Sequence, residues 1–332
     1  MRTTSKAIHR LLRLLVIIAA PWVACVGAQQ YPSKPIKIIV PLGAGAGVDL
    51  AARLFGSMLS DSMGQPVVVE NRPGGSSILG MIACAKAPPD GHTICLTVAD
   101  SLSFNPAFFS NLPYNAEKDF APIILLATTN GALVANAKTP FNTYKDMVAY
   151  AKANPGVLNW GTWGPATRPD LYRRWLNAKE GIDLLGIPYK GAAGSYPSVA
   201  AGETHATYMG QGAATPFIKA GRIKMLVTLA KTRSAFYPDV PTLAESGLDP
   251  GLTAYIAAYA PAQTPRVILD RLNSELAKAV RTKRGQEFLT ENTWEAADNT
   301  SVEFTEFMRR DRENSIQVFR SLGIKPTAAP ES

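Results

Sequence analysis

The chain has 332 residues, 46% of them hydrophobic and 18% charged, enough to bury a substantial core and, at roughly 100–200 residues per domain, to form two lobes. Its formal net charge of +8 overstates the basic balance, because the first 28 residues hold four of the 34 basic residues and none of the 26 acidic ones. The remaining 30 basic and 26 acidic residues are spread along the chain with no zinc-finger or aromatic RNA motif, which excludes a nucleic-acid footprint and suits an anionic small molecule.

The N-terminus differs from the rest. Arg2, Lys6, Arg10 and Arg13 precede an apolar run at 14–20, and Val26-Gly27-Ala28 supplies a small-residue cleavage site. This is the order of a secretory signal peptide over residues 1–28, and the run falls short of the about 20 apolar residues that span a membrane. A buried N-terminal helix is the structural alternative, and Cys25 raises a lipoprotein, although Trp22 sits badly in a lipobox. The expectation is a protein that is soluble outside the cytoplasm.

From there strands and helices alternate. The β-branched run 36–40 is a strand, Leu50, Leu54, Phe55, Met58 and Leu59 recur at helical spacing, and "PVVVE" at 66–70 is a second strand. "SSILGMIACAKA" reads as a helix and "HTICLTVA" as a third strand. Cys84 and Cys95 fall on these two elements; an oxidising compartment permits a bridge, and two buried free thiols fit the spacing equally well. Beyond the Pro-rich turn at 111–123 a second series begins with strands "ILLAT" and "ALVAN", helix "TYKDMVAYAKANP" and strand "VLNWG". It continues through a helix at 170–179, strand "LLGIPYK", helix "GSYPSVAAG", strand "THATYM" and the helix-to-strand unit "TPFIKAGRIKMLVTLA". "YIAAYAPAQTP" then leads into a helix from Arg266 and a last helix around 303–321. The alternation predicts an α/β fold of two lobes, each a mainly parallel sheet flanked by helices. The lobes are expected over 29–128 with 252–332, and over 129–251, crossed more than once and hinged.

Between the first strand and first helix lies Gly43-Ala44-Gly45-Ala46-Gly47, with a helix opening on Asp49 and Glu70 about 20 residues on, an arrangement close to a dinucleotide-binding fingerprint. Three features oppose that reading. Val48 stands where the third glycine belongs, Asp49 places a carboxylate where a pyrophosphate would sit, and a secreted protein meets little nicotinamide cofactor. The loop keeps its physical content: glycines let the backbone approach a ligand, and the helix N-terminus attracts a carboxylate as well as a phosphate. Asp49 is expected mainly to cap the helix.

The segments "YPSKPIKIIVPLGAGAGVDLAARL", "GQPVVVENRPGGSSILG", "PPDGHTI", "FNPAFFSNLPYNAEKDFAPI", "IPYKGAAGSYPSVAAGE", "IKAGRIKMLV", "YPDVPTLAESGL" and "APAQTPRVILDRLNSEL" resemble, in that order, the receptor proteins of tripartite tricarboxylate transporters, the Bug-type substrate-binding proteins. The resemblance spans essentially the whole mature chain. It implies a monomeric, two-lobed periplasmic binding protein of Venus-flytrap type, closing on a small organic acid and delivering it to integral membrane transporter subunits, with no cofactor. It places ligand contacts on the first loop, at Gly45, Ala46, Gly47, Val48 and Asp49. Further contacts fall after the third strand, at Asp100 and Ser101, and on the second-lobe loop at 161–168, including Thr162, Trp163, Thr167 and Arg168. Gln211 belongs to Met209-Gly210-Gln211, where many members carry an Asp-Asn-type pair, and Val48 replaces a usual hydroxyl.

These departures suggest a ligand chemistry. Trp163 would offer a face to an aromatic ring, and Arg168 would grip a second carboxylate with its bidentate fork. The plainer alternatives, a packing tryptophan and a solvated loop arginine, carry more weight here. The rival from another class is a secreted hydrolase. His92 lies in a Pro-Pro-Asp-Gly turn and His205 in a probable strand, neither at metal-ligand spacing, and no G-x-S-x-G elbow occurs. A non-enzymatic receptor without metal is the expectation.

Overall fold

The computed structural model describes residues 31–329 apart from 166, 231, 235 and 298; the expected signal peptide lies outside the described residues. In chain order the elements are β1 (Ile36–Val40), α1 (Gly47–Met63), β2 (Val67–Asn71), α2 (Ile78–Ala85), β3 (Thr93–Val98), α3 (Asn105–Phe108), β4 (Phe120–Thr129), β5 (Gly131–Asn136), α4 (Tyr144–Ala153) and β6 (Asn159–Thr162). They continue with α5 (Arg168–Glu180), β7 (Leu185–Pro188), α6 (Ala192–Ala201), β8 (Ala206–Gly210), α7 (Gln211–Lys219), β9 (Ile223–Thr228) and β10 (Tyr255–Pro261). Helices α8 (Arg266–Arg281) and α9 (Lys283–Glu291), strand β11 (Trp294–Ala296) and helix α10 (Ser301–Ser321) complete the order.

The strands form two sheets, β11-β4-β10-β3-β1-β2 and β7-β6-β8-β5-β9. β1 pairs in parallel with both β2 and β3, and its aliphatic run is buried under α1, whose Ala51, Ala52, Phe55 and Leu59 point inward at helical spacing. α1 stops at Gly64, whose φ of 69° is the left-handed geometry that glycine adopts without strain. In the second sheet β6 pairs in parallel with β7 and β8.

The sheets are mixed where mainly parallel ones were expected. β10 inserts between β3 and β4 and runs against both, and β5 runs against β8 and β9. These antiparallel strands adjoin the crossings. Asn130 alone separates β4 in the first sheet from β5 in the second, and the chain returns through 229–254 into β10. A crossing strand follows the direction of its entry, which hydrophobic periodicity does not encode. Pro122 within β4 has no N–H for the ladder, and the β10–β4 register shifts where Tyr259 faces it.

Each sheet has its own core, and the two are sewn together. Phe104, Phe108, Tyr255, Tyr259, Phe304 and Phe319 belong to the core of the first sheet, and Trp160, Tyr172, Trp175 and Tyr208 to that of the second. Leu171, on α5 of the second unit, packs into the first core. Cys84 and Cys95 form a disulfide, Cα to Cα 6.1 Å, which ties α2 to β3.

Candidate functional site

The segments that follow β3 and β6 meet through Asp100 and Arg168, beyond the C-terminal ends of their strands, the edge where open α/β sheets hold ligands. After β1 the glycine-rich loop turns into α1, which starts at Gly47 with Ala46 at its cap position and no side-chain cap bond. Asp49 is therefore not the cap; it stands three residues in and reaches backward. Its Oδ2 accepts the Gly45 N–H at 2.9 Å and Arg53 Nε at 3.1 Å. Its Oδ1 accepts Asn71 Nδ2 at 2.9 Å and lies 3.0 Å from Arg53 Nη2. Asn71 also donates to Leu42 O at 3.1 Å and accepts from Arg53 at 2.9 Å.

Burial would push the Asp49 carboxyl up, but the donors from Arg53, Gly45 and Asn71 outweigh it and hold the pKa below the usual carboxylate range. The charge is thus neutralised inside the loop. Gly45 N–H is taken by Asp49 and Ala46 N–H by Gly43 O. Among the described residues, the Gly47 and Val48 N–H groups have no acceptor. They are the first two amides of α1, at the positive end of its dipole. The Trp294 ring walls this corner, since a Cβ on Gly47 would come within 2.9 Å of it.

Beyond β3, Ser101 is fully buried, its hydroxyl 2.6 Å from Thr97 Oγ1 and its carbonyl accepting the Tyr114 hydroxyl at 2.6 Å. It shapes the wide helical turn 100–104 and offers no free hydroxyl. Asp100 crosses to the second lobe. Arg168 Nη2 donates to Asp100 Oδ1 at 2.7 Å, its backbone N–H to Oδ2 at 3.3 Å, and Nη1 to Thr253 O at 3.2 Å. The guanidinium also lies over the Phe104 and Tyr208 rings, 5.2 and 5.7 Å from their centroids. Arg168 is only 5% exposed, which corrects the expectation of a solvated loop charge. Burial alone would lower its pKa, yet Asp100 reverses the shift and keeps it charged.

On the second lobe Thr162 is buried at the end of β6, with its carbonyl held by the Tyr189 N–H at 2.9 Å. Thr167 donates its hydroxyl to Gly164 O at 2.6 Å, closing the turn before α5. Trp163 packs edge-on against Tyr196 and Tyr208, centroids 5.9 and 6.2 Å away, and its buried Nε1 has no acceptor. Gln211 opens α7 fully buried, and neither end of its amide has a partner. Between the lobes, a Cβ on Gly212 would come within 2.6 Å of Asn292 O, and Ser76 Oγ reaches Pro165 O at 3.4 Å.

Sequence reasoning missed Asn71, Arg53 and Trp294. Asn71 ends a strand parallel to β1, which marks it as adjacent to the loop once the pairing is assumed; Arg53 follows Asp49 at the i,i+4 spacing of helical ion pairs. Nothing local marks Trp294. The two described histidines have structural partners: His205 Nδ1 accepts the Asn159 N–H at 3.1 Å, and His92 lies 3.4 Å from Asp90. Among the described residues no group of three His, Cys, Asp or Glu side chains forms a metal site, and no helix is long and apolar enough to cross a membrane. A cavity of about 710 Å³ lies elsewhere, between α5 and the C-terminal segment, lined by Arg173, Arg174, Asn177, Leu322 and Lys325 among others and by none of the loops above.

The family model described as tripartite tricarboxylate transporter family receptor matches residues 51–324. A solved structure of the periplasmic binding protein BugD is 25% identical, covering 90% of this chain and 100% of that one with a TM-score of 0.82. The R. palustris protein Rpa4515, solved with adipate, is 26% identical over 90% and 100% of the two chains with a TM-score of 0.84. MatC (Rpa3494) of Rhodopseudomonas palustris, solved with bound malate, is 25% identical over 87% and 99%, with a TM-score of 0.80. These neighbours are solute-binding proteins, and the fold is theirs.

Proposed function

Because the chain belongs to the tripartite tricarboxylate transporter receptor family, a family of solute-binding receptors and not of enzymes, we propose that it captures a small organic carboxylate between its lobes in the periplasm and presents the closed form to integral membrane transporter subunits. The carrying observation is the pair of unengaged amides, Gly47 and Val48 N–H, at the positive end of α1. They are positioned by a loop whose own carboxylate is turned inward onto Arg53 and Asn71. Two adjacent N–H donors on a helix dipole hold a carboxylate without a cationic side chain. The adipate and malate bound by structural neighbours fit this reading.

Closure follows from differential binding. The first lobe, 29–128 with 252–332, anchors the carboxylate, and the second, 129–251, folds over the remainder and excludes water; the ligand drives this only by binding the closed form better. Export of this receptor rests on the signal-like segment at 1–28, whose removal is read from the N-terminal mass of the secreted chain. A finer reading gives the ligand an aromatic body, supported by the half-buried ring of Trp163 among Tyr196 and Tyr208.

Native mass spectrometry of freshly purified protein, followed by calorimetric titration of aliphatic and aromatic acids, tests the proposal. Val48→Pro deletes one of the two amides near a helix start, where proline is tolerated, and should weaken every acid about tenfold, the loss of one charge-assisted hydrogen bond. Unchanged affinity would place the carboxylate elsewhere.

A further inference from the structure

Resting on the carboxylate anchor at α1, we infer that the far end of the ligand is an uncharged group that both donates and accepts hydrogen bonds, a carboxamide or its equivalent, and that Gln211 and Trp163 select it against a second carboxylate. The two residues end adjacent parallel strands. β6 and β8 pair with Trp160 opposite Ala206 and Gly161 opposite Thr207, so Trp163 and Gln211 both leave the sheet at the C-terminal edge of this pair, Gln211 two residues further along. Tyr208 lies between them in the fold: its ring contacts the Trp163 indole, as does that of Tyr196, and it precedes Gln211 by three residues at the end of β8.

Three polar atoms here are buried and unpartnered: Trp163 Nε1, Gln211 Nε2 and Gln211 Oε1. Buried polar groups are almost always hydrogen-bonded, and each exception asks for a partner. Two of the three are donors and one is an acceptor. A carboxylate satisfies the donors but leaves Gln211 Oε1 unpaired and faces it with like charge. A primary amide satisfies all three, its carbonyl accepting from Trp163 and Gln211 Nε2 while its N–H donates to Oε1.

The surrounding charges favour the same choice. A buried second carboxylate needs a cation or a helix N-terminus to face, and Arg168, a cation at this edge of the second lobe, is held by Asp100 and Thr253 O. The positive N-terminus of α7 is the other attraction for an anion, and its first amide is already engaged, Gln211 N–H donating to Asn130 O at 2.9 Å. The Asn292 carbonyl lies so close to Gly212 that a Cβ there would come within 2.6 Å of its oxygen, which sets a partial negative charge against the first turn of the helix.

The test is calorimetric titration of benzoate, terephthalate and 4-carbamoylbenzoate, and of hexanoate, adipate and the monoamide of adipate. Wild-type protein should bind the better monoamide at least ten times more tightly than its matching diacid, and Gln211→Met should collapse that ratio to within threefold. Trp163→Phe, which deletes the indole N–H and keeps a ring, should reduce the ratio in the same direction and carries the test if Gln211→Met does not fold. Diacids that bind as tightly as the monoamides, or a ratio unmoved by both variants, overturn this inference and leave the carboxylate anchor standing. Failure of all six acids to bind overturns the anchor and this inference together.

Discussion

Arg168 and Asp100 follow strands of different sheets, β6 and β3, and their side chains meet at 2.7 Å with only 6% and 14% of their surfaces exposed. The pair is a direct bond between the two lobes. Removing one partner of such a buried pair leaves an uncompensated charge, at a cost of about 3 kcal/mol or more. Arg168→Met is therefore expected to lower unfolding stability by about that amount in urea titration. Adding Asp100→Leu should recover part of the loss, because the stranded charge is gone. Single and double variants of equal stability would contradict an interlobe latch.

Asp49 gives stability a pH signature. Its carboxyl is held below the ordinary 3.8 despite burial, by Arg53, Gly45 N–H and Asn71. A depressed folded-state pKa contributes stability that is fully present above the unfolded value and is lost as pH falls through the folded one. Asp49→Asn should be less stable than wild type at pH 7, and the gap should narrow in melts recorded below about pH 4. A gap independent of pH would show that the ionised form is not what holds the loop.

Asp311 carries the opposite sign. On α10 it is 3% exposed, with neither oxygen in a good hydrogen bond, and burial raises its pKa above 3.8, moderated by nearby Ser103 and Thr253 and the charge of Arg168. A raised folded-state pKa contributes stability that is present below the unfolded value and lost as pH climbs through the folded one. Asp311→Asn should therefore stabilise the protein relative to wild type at pH 7, with the advantage vanishing by pH 3. Destabilisation at neutral pH would mean the charge is needed where it stands.

Cys84 and Cys95, 11 residues apart and both fully buried, are bridged. Closing a loop of this length restricts the unfolded chain by about 3 kcal/mol. Reduction under mild denaturant, or the double change Cys84→Ala and Cys95→Ala, should lower stability by an amount of that order in guanidinium titration. A shift below 1 kcal/mol would leave the bridge without a stabilising role.

Much of the fold was legible because its physics is local. The aliphatic run of β1, the inward stripe Ala51–Phe55–Leu59 of α1 and the glycines between them announce a strand, a turn and a helix N-terminus to any reader of periodicity. Strand order was not legible. β10 reads like any apolar strand, and its insertion between β3 and β4 is decided by partners more than 120 residues away. The three-residue β11 carries no pattern at all, so Trp294 beside Gly47 could not be foreseen. Asp49, Asp100 and Arg168 were singled out as ligand contacts, and each has a protein partner that the sequence did not reveal. Sequence identifies groups capable of holding an anion; only the assembled edge shows which of them the protein has already claimed.

The bridge between α2 and β3 also sets when this protein becomes itself. Thiol-rich cytosol keeps such pairs reduced, so a chain lingering there lacks its covalent brace beneath the strand that leads to Asp100. The covalent tie between α2 and β3 arrives only with oxidation.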